Sequence, residues 1–210
     1  MKQIYDKRLI PAATIEKAED AIPLAEALLA GGLDILEITF RTKAAEDAIH
    51  SVVGRFPDML VGAGTVLNED QLRRAIGAGV KFAVAPCLNA DLVTDSMAAN
   101  VPFIAGVATP TEIDRGIALG CKLLKFFPAD ALGGIKTLKA FAGPFAHTGV
   151  KFVPTGGINA ANAADYLALP VVAAVGGSWM VAEKLIKDRN WAEITRLSRE
   201  AVALAKAVGK

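Results

Sequence analysis

A short apolar run, a turn and an Ala/Leu-rich stretch with helical spacing recur eight times along this chain. The apolar runs are Leu9–Ala13, Ile35–Thr39, Leu60–Gly64, Phe82–Ala85, Phe103–Gly106, Leu123–Phe126, Phe152–Thr155 and Val171–Gly176. Helical spacing follows near 16–30, 43–55, 69–78, 90–99, 110–119, 134–142 and 160–168, with a last stretch near 191–208. Thr42, Asn68, Asn89, Thr109 and Asn159 are read as helix N-caps, and Gly31, Gly79 and Gly120 as helix ends. Strands joined by helices must run parallel, because each crossover returns the chain to the same end. Eight units in 210 residues leave about 26 residues for each, the size of a βα unit. The pattern predicts an α/β chain forming a compact single-domain (β/α)8 TIM barrel over residues 1–210. The rival is an open doubly wound sheet. Its Gly-rich nucleotide turn is missing, since Ala13-Thr14-Ile15 follows the first run.

Composition narrows the function. Hydrophobic residues make up 53% of the chain, enough to build a core and exclude disorder. The formal net charge of +1 offers no basic surplus for phosphate neutralisation, so no nucleic-acid partner is expected. No apolar run reaches the roughly 18 residues of a membrane helix, and the charged N-terminal stretch does not read as a secretory signal. Cys87 and Cys121 cannot form a disulfide framework. The expectation is a cytoplasmic protein without a membrane partner. His50 and His147 lie far apart, with no Cys or carboxylate at ligand spacing, so no metal site is expected. Cys87, after Pro86 at the end of the fourth run, is read as a small buried residue, the alternative being a residue that lines the pocket, and Trp179 and Trp191 are read as packing residues.

Barrel enzymes place their chemistry at the C-terminal ends of strands, and there two charges interrupt apolar runs. In Ile35-Leu36-Glu37-Ile38-Thr39, strand parity puts Glu37 and Thr39 on one face. A carboxylate between Leu36 and Ile38 loses hydration, which suits proton transfer. The alternative is an ion pair between Glu37 and Arg41. In Leu123-Leu124-Lys125-Phe126, Lys125 shares a face with Leu123. A dehydrated lysine offers neutral amine, the nucleophile of Schiff-base chemistry with a ketone. The alternative is a lysine that snorkels to the rim. Glycines after the seventh and eighth runs, in Thr155-Gly156-Gly157 and Gly176-Gly177-Ser178, suit a phosphate held by backbone N–H groups and completed by a short helix N-terminus. The alternative is a pair of tight turns.

Six segments together carry a resemblance. They are Leu36–Thr42, Gly62–Leu67, Lys125–Ala129, Gly143–Phe145, Pro154–Ile158 and Gly176–Trp179. In this order the chain resembles the bacterial 2-keto-3-deoxy-6-phosphogluconate (KDPG) and 4-hydroxy-2-oxoglutarate (KHG) aldolases from about Leu9 onward. The resemblance implies a class I aldolase that releases pyruvate, acts in the Entner–Doudoroff pathway, assembles as a homotrimer, and needs neither cofactor nor metal. It implies Lys125 as Schiff-base lysine and Glu37 as general acid/base. It implies that Arg41 and Thr65 hold the pyruvyl carboxylate and that Pro86 and Phe127 line the pyruvate pocket. Thr155 would contact substrate hydroxyls, and Gly156, Gly157, Gly177 and Ser178 would bind phosphate. The implied substrates are KDPG, its galactonate-derived counterpart and 4-hydroxy-2-oxoglutarate. Two positions depart from the family pattern. Asp130 stands where glutamate is common, and Ala12–Glu16 lacks an arginine that some relatives place there.

Overall fold

The computed structural model describes residues 1–209. Eight parallel strands follow one another around a barrel: β1 (Leu9–Ala13), β2 (Ile35–Thr39), β3 (Leu60–Gly64), β4 (Phe82–Val84), β5 (Phe103–Val107), β6 (Leu123–Phe126), β7 (Lys151–Pro154) and β8 (Val175–Gly177). Each neighbours the next in sequence, and β8 returns to pair with β1, Leu9 opposite Val175. Two isolated bridges, Phe152 with Val172 and Thr155 with Gly176, join β7 to the segment containing β8. This is the (β/α)8 architecture that the repeat predicts.

The helices are α1 (Lys2–Lys7), α2 (Ala21–Ala30), α3 (Ala45–Arg55), α4 (Glu69–Gly77), α5 (Ala90–Ala98), α6 (Pro110–Ala118), α7 (Gly134–Ala142), α8 (Ala163–Leu167), α9 (Glu183–Lys187) and α10 (Trp191–Ala207). Three predicted caps close as expected. Asn68 accepts from the Gln71 amide at 2.9 Å, and Asn89 from those of Asp91 and Leu92. Thr109 accepts from the Glu112 amide at 3.3 Å, while the Glu112 carboxylate reaches back to the Ala108 amide at 2.7 Å. Two do not. The Thr42 hydroxyl donates to the Ile15 carbonyl, and α3 starts after Ala44 instead. Asn159 caps a turn at Ala161, one turn ahead of α8.

Gly31, Gly79 and Gly120 all stand at helix ends, Gly31 as the C-cap of α2. Gly79 and Gly120 take the left-handed conformation, and after α2 the residue that does so is Gly32, with φ of 88°. Gly31 is small for a different reason: a Cβ there would lie 2.4 Å from that of Ser198 on α10. The run Val171–Gly176 is strand only from Val175; ahead of it, Val172 bridges to Phe152 alone. Helices α1 and α9 have no counterpart in the repeat.

Strand parity divides the apolar residues into two sets. Leu36, Ile38, Leu124 and Phe126 face the helices in the main core. Ile10, Ile35, Leu60, Phe82, Val84, Ile104, Leu123 and Val153 form a second cluster, filling the lower barrel. Ile4 of α1 is wholly buried in that same cluster, so the first helix plugs the N-terminal end. The Phe82 ring lies over Gly62, its partner on the neighbouring strand β3, where a Cβ would stand 2.3 Å from it. Above this layer the inward positions become small or polar, which opens a well at the C-terminal end of the strands.

Candidate active site

That well is a cavity of about 320 Å³. It is lined by Glu37, Arg41, Thr65, Pro86, Lys125, Phe127, Thr155, Gly156, Gly157, Gly177 and Ser178. Every residue that the resemblance implies as catalytic or substrate-binding therefore lines one space, although β2 and β6 lie on opposite sides of the barrel. Ala12, Thr39 and Ile158 complete the lining.

The two interrupting charges meet. Lys125 Nζ lies 3.8 Å from Glu37 Oε1, with Lys125 7% and Glu37 4% exposed. Burial at this level excludes a lysine that snorkels to the rim. The ion pair between Glu37 and Arg41, the alternative left open by the sequence, does not form. At 3.8 Å the carboxylate and the amine are too far apart for a direct hydrogen bond and close enough to pass a proton through one bridging water. Nζ also sits 5.1 Å from the Phe127 ring centroid. The ring thus forms one wall of the space around the Lys125 amine and supplies a face for a cationic nitrogen.

Glycines make room for this pair. A Cβ at Gly64, on β3 beside β2, would fall 2.1 Å from Glu37 Oε1. A Cβ at Gly106 would strike the Pro86 carbonyl at 2.2 Å, and one at Gly176 the Thr155 hydroxyl at 2.3 Å. Each of these three glycines thus seats a lining residue on, or just past the end of, the neighbouring strand. Thr65, following Gly64, has φ of 57°. The left-handed region is strained for a β-branched side chain, and such strain persists where surrounding structure imposes it.

Arg41 stands at the rim. Its Nη2 donates to Thr14 Oγ1 at 2.8 Å and its Nε to Thr39 Oγ1 at 3.3 Å. Across the mouth, Gly156 and Gly157 take φ of 92° and 80° after β7. Asn162 Nδ2 donates to the Gly157 carbonyl at 2.9 Å, and the Asp130 amide donates to the Gly156 carbonyl at 3.0 Å. With both carbonyls engaged, the loop can turn backbone N–H groups toward an anion. Asp130 packs on the back of this loop; a Cβ at Gly157 would meet its own Cβ at 2.3 Å. After Ser178 the chain makes a single 3-10 turn, Trp179–Val181.

Cys87 corrects another expectation: it is exposed, while Cys121 is buried. Trp179 and Trp191 do pack against the core. Among the described residues, no group of three or more His, Cys, Asp or Glu side chains could hold a metal ion. No helix among them is long and apolar enough to cross a membrane.

The sequence missed Thr14 and Thr39. Both are 9% exposed or less, and neither interrupts its run the way a charge does. The available signal was parity alone, which places Thr39 on the Glu37 face.

Comparison with known proteins gives one answer. The family model described as KDPG and KHG aldolase matches residues 1–197. The chain is 46% identical over 198 residues to the KHG/KDPG aldolase of Escherichia coli K12, covering 94% of this chain and 92% of that one. It is 44% identical to the 2-dehydro-3-deoxy-phosphogluconate aldolase of Treponema pallidum, covering 94% and 93%. A crystal structure of KDPG aldolase from Legionella pneumophila, with pyruvate captured at low pH as a covalent carbinolamine intermediate, is similar at a TM-score of 0.90 and 46% identity. It covers 94% of this chain and 95% of that one.

Proposed function

Because the chain belongs to the KDPG and KHG aldolase family, we propose that it cleaves 2-keto-3-deoxy sugar acid phosphates through a Schiff base on Lys125, with Glu37 moving the protons. It is a carbon–carbon lyase. KDPG gives pyruvate and D-glyceraldehyde 3-phosphate, and 4-hydroxy-2-oxoglutarate gives pyruvate and glyoxylate. The observation that carries the assignment is the buried pair of Lys125 and Glu37, 3.8 Å apart at the floor of the well. A relative holding pyruvate as a covalent carbinolamine supports it.

The steps follow from that geometry. Neutral Lys125 attacks the C2 ketone and forms a carbinolamine, with Glu37 relaying protons between nitrogen and oxygen. Loss of water leaves a protonated imine, whose nitrogen draws electrons from the C3–C4 bond. Glu37 takes the proton of the C4 hydroxyl, the C3–C4 bond breaks, and the aldehyde departs. The remaining enamine takes a proton at C3. Water then hydrolyses the imine, which frees pyruvate and restores Lys125. Arg41, aided by Thr65, grips the carboxylate with a charged fork. Pro86 and Phe127 wall the pyruvyl methylene. Thr155 meets the hydroxyls. The amides of Gly156, Gly157, Gly177 and Ser178 hold the phosphate, whose remote binding aligns the reacting carbons. The imine supplies the electron sink, so the scheme calls on no metal or cofactor.

Family membership also supports a cytoplasmic homotrimer acting in the Entner–Doudoroff pathway, and light scattering in solution tests the trimer. The chemistry is tested by borohydride reduction in the presence of pyruvate. A pyruvyl adduct on Lys125, absent from Lys125→Ala, is the expected result. Labelling elsewhere, or of the variant, refutes the assignment.

A further inference from the structure

Arg41 carries a charge in neutral company. Thr14 Oγ1 and Thr39 Oγ1, the acceptors of its Nη2 and Nε, lie 3.1 Å apart and share a hydrogen bond of their own. Thr14 is 9% exposed and Thr39 3%. The strand register makes the pair. Ala12 lies opposite Glu37 and Ala13 opposite Ile38, so residue 14 comes beside residue 39 just where β1 ends. No carboxylate among the described residues lies within ion-pair distance of Arg41.

A guanidinium has five N–H donors in one plane. The threonines occupy the edge formed by Nε and Nη2, which leaves the Nη1 end and the second Nη2 hydrogen for a ligand. A hydroxyl accepts a hydrogen bond without cancelling the charge, whereas a carboxylate in its place would compete with an anionic ligand. Two buried hydroxyls also order a long side chain that otherwise samples many rotamers at the rim.

We infer that Thr14 is a positioning residue for the keto-acid carboxylate. Directly, and through its bond to Thr39, it fixes the Nε–Nη2 edge of Arg41, so the carboxylate meets the Nη1–Nη2 end of an uncompensated guanidinium. The inference rests on the Schiff-base reading above and deepens it. It makes Thr14 a selector for ketones bearing an adjacent carboxylate over ketones without one.

The test compares two ketones by borohydride inactivation: pyruvate, and hydroxyacetone, which lacks the carboxylate. In Thr14→Val, the half-saturating pyruvate concentration is expected to rise about tenfold, roughly the worth of one charge-assisted hydrogen bond. Hydroxyacetone is expected to saturate as in the wild type, and Thr14→Ser to restore pyruvate. In an Arg41→Ala background, Thr14→Val is expected to add nothing further. Should Thr14→Val fail to fold, Thr14→Ala takes the same measurements. The inference is overturned by an unchanged pyruvate value, by an equal rise for both ketones, by failure of serine to restore, or by the same increment in the Arg41→Ala background. If the wild type is trapped by neither ketone, the Schiff-base reading itself falls, and this inference with it.

Discussion

Lys125 Nζ and Glu37 Oε1 face each other at 3.8 Å from strands on opposite sides of the barrel. The axis of the fold and the axis of the chemistry thus coincide. Replacing Glu37 by Gln keeps the size of the side chain and removes the proton traffic proposed for it. We expect Glu37→Gln to lower kcat by about 10²–10⁴-fold. Steady-state assays of pyruvate release check this, and wild-type turnover by the variant takes Glu37 out of the mechanism.

Gly64 guards the Glu37 position. A methyl group there lands on the end of a flexible side chain, not on backbone, so the carboxylate can yield while the barrel stays folded. Gly64→Ala is expected to lower kcat at least tenfold with a near-native melting curve. Gly54 on α3 is the contrast, since a Cβ added there would meet no atom within 4 Å. Gly54→Ala is expected to stabilise by about 0.5–1 kcal/mol, read as a Tm higher by about 1–4 °C, with activity unchanged.

Thr65 holds a left-handed backbone that costs a β-branched residue about 1–2 kcal/mol. Glycine relieves that strain but adds freedom to the unfolded chain, so the two changes roughly cancel. Thr65→Gly is expected to melt within a few degrees of the wild type while losing affinity for pyruvate. A large fall in Tm with unaltered pyruvate trapping gives Thr65 a structural role instead.

Ser178 and the Gly156-Gly157 loop meet across the outer half of the well. A carboxylate at position 178 repels a phosphate without reaching the imine. Ser178→Asp is expected to lower kcat/KM for the phosphorylated sugar acid at least tenfold and to leave borohydride trapping by pyruvate unaffected. Equal losses in both assays refute the assignment of this end to phosphate.

The two cysteines differ in reactivity. Cys87 is exposed, whereas burial pushes the Cys121 thiol up and keeps it from the reactive thiolate form. A disulfide reagent is expected to titrate one thiol in the native protein and the second only on unfolding, with Cys87→Ser abolishing the first.

Glu37 and Lys125 were legible in the sequence because a charge inside a strand-length apolar run has few benign explanations. The barrel was legible because eight runs at similar spacing leave few residues for anything else. Thr14 and Thr39 were hidden, since threonine is an ordinary strand residue and its partner here lies on another strand. Helix α1 was hidden because six residues are too few to display a period. Thr42 and Asn159 show how a capping residue type can serve a neighbouring loop: each makes its hydrogen bond, one to Ile15 and one to Ala161, without starting a helix. Cys87 misled because small size suggests burial, while its place after the β4 strand end leaves it in the open.

Ile4, seated in the lower barrel, gives the well one door. Whatever enters at the rim must leave by it. On the Schiff-base reading proposed above, substrate goes in keto end first, toward Lys125, and its phosphorylated half stays nearest the exit. The fragment cut loose by the C3–C4 break is therefore already outermost, while the other remains tethered to the floor. A plugged barrel thus sets a departure order, aldehyde before pyruvate, without any moving part, and pyruvate added from outside blocks the floor against a new substrate while leaving the outer half of the well empty.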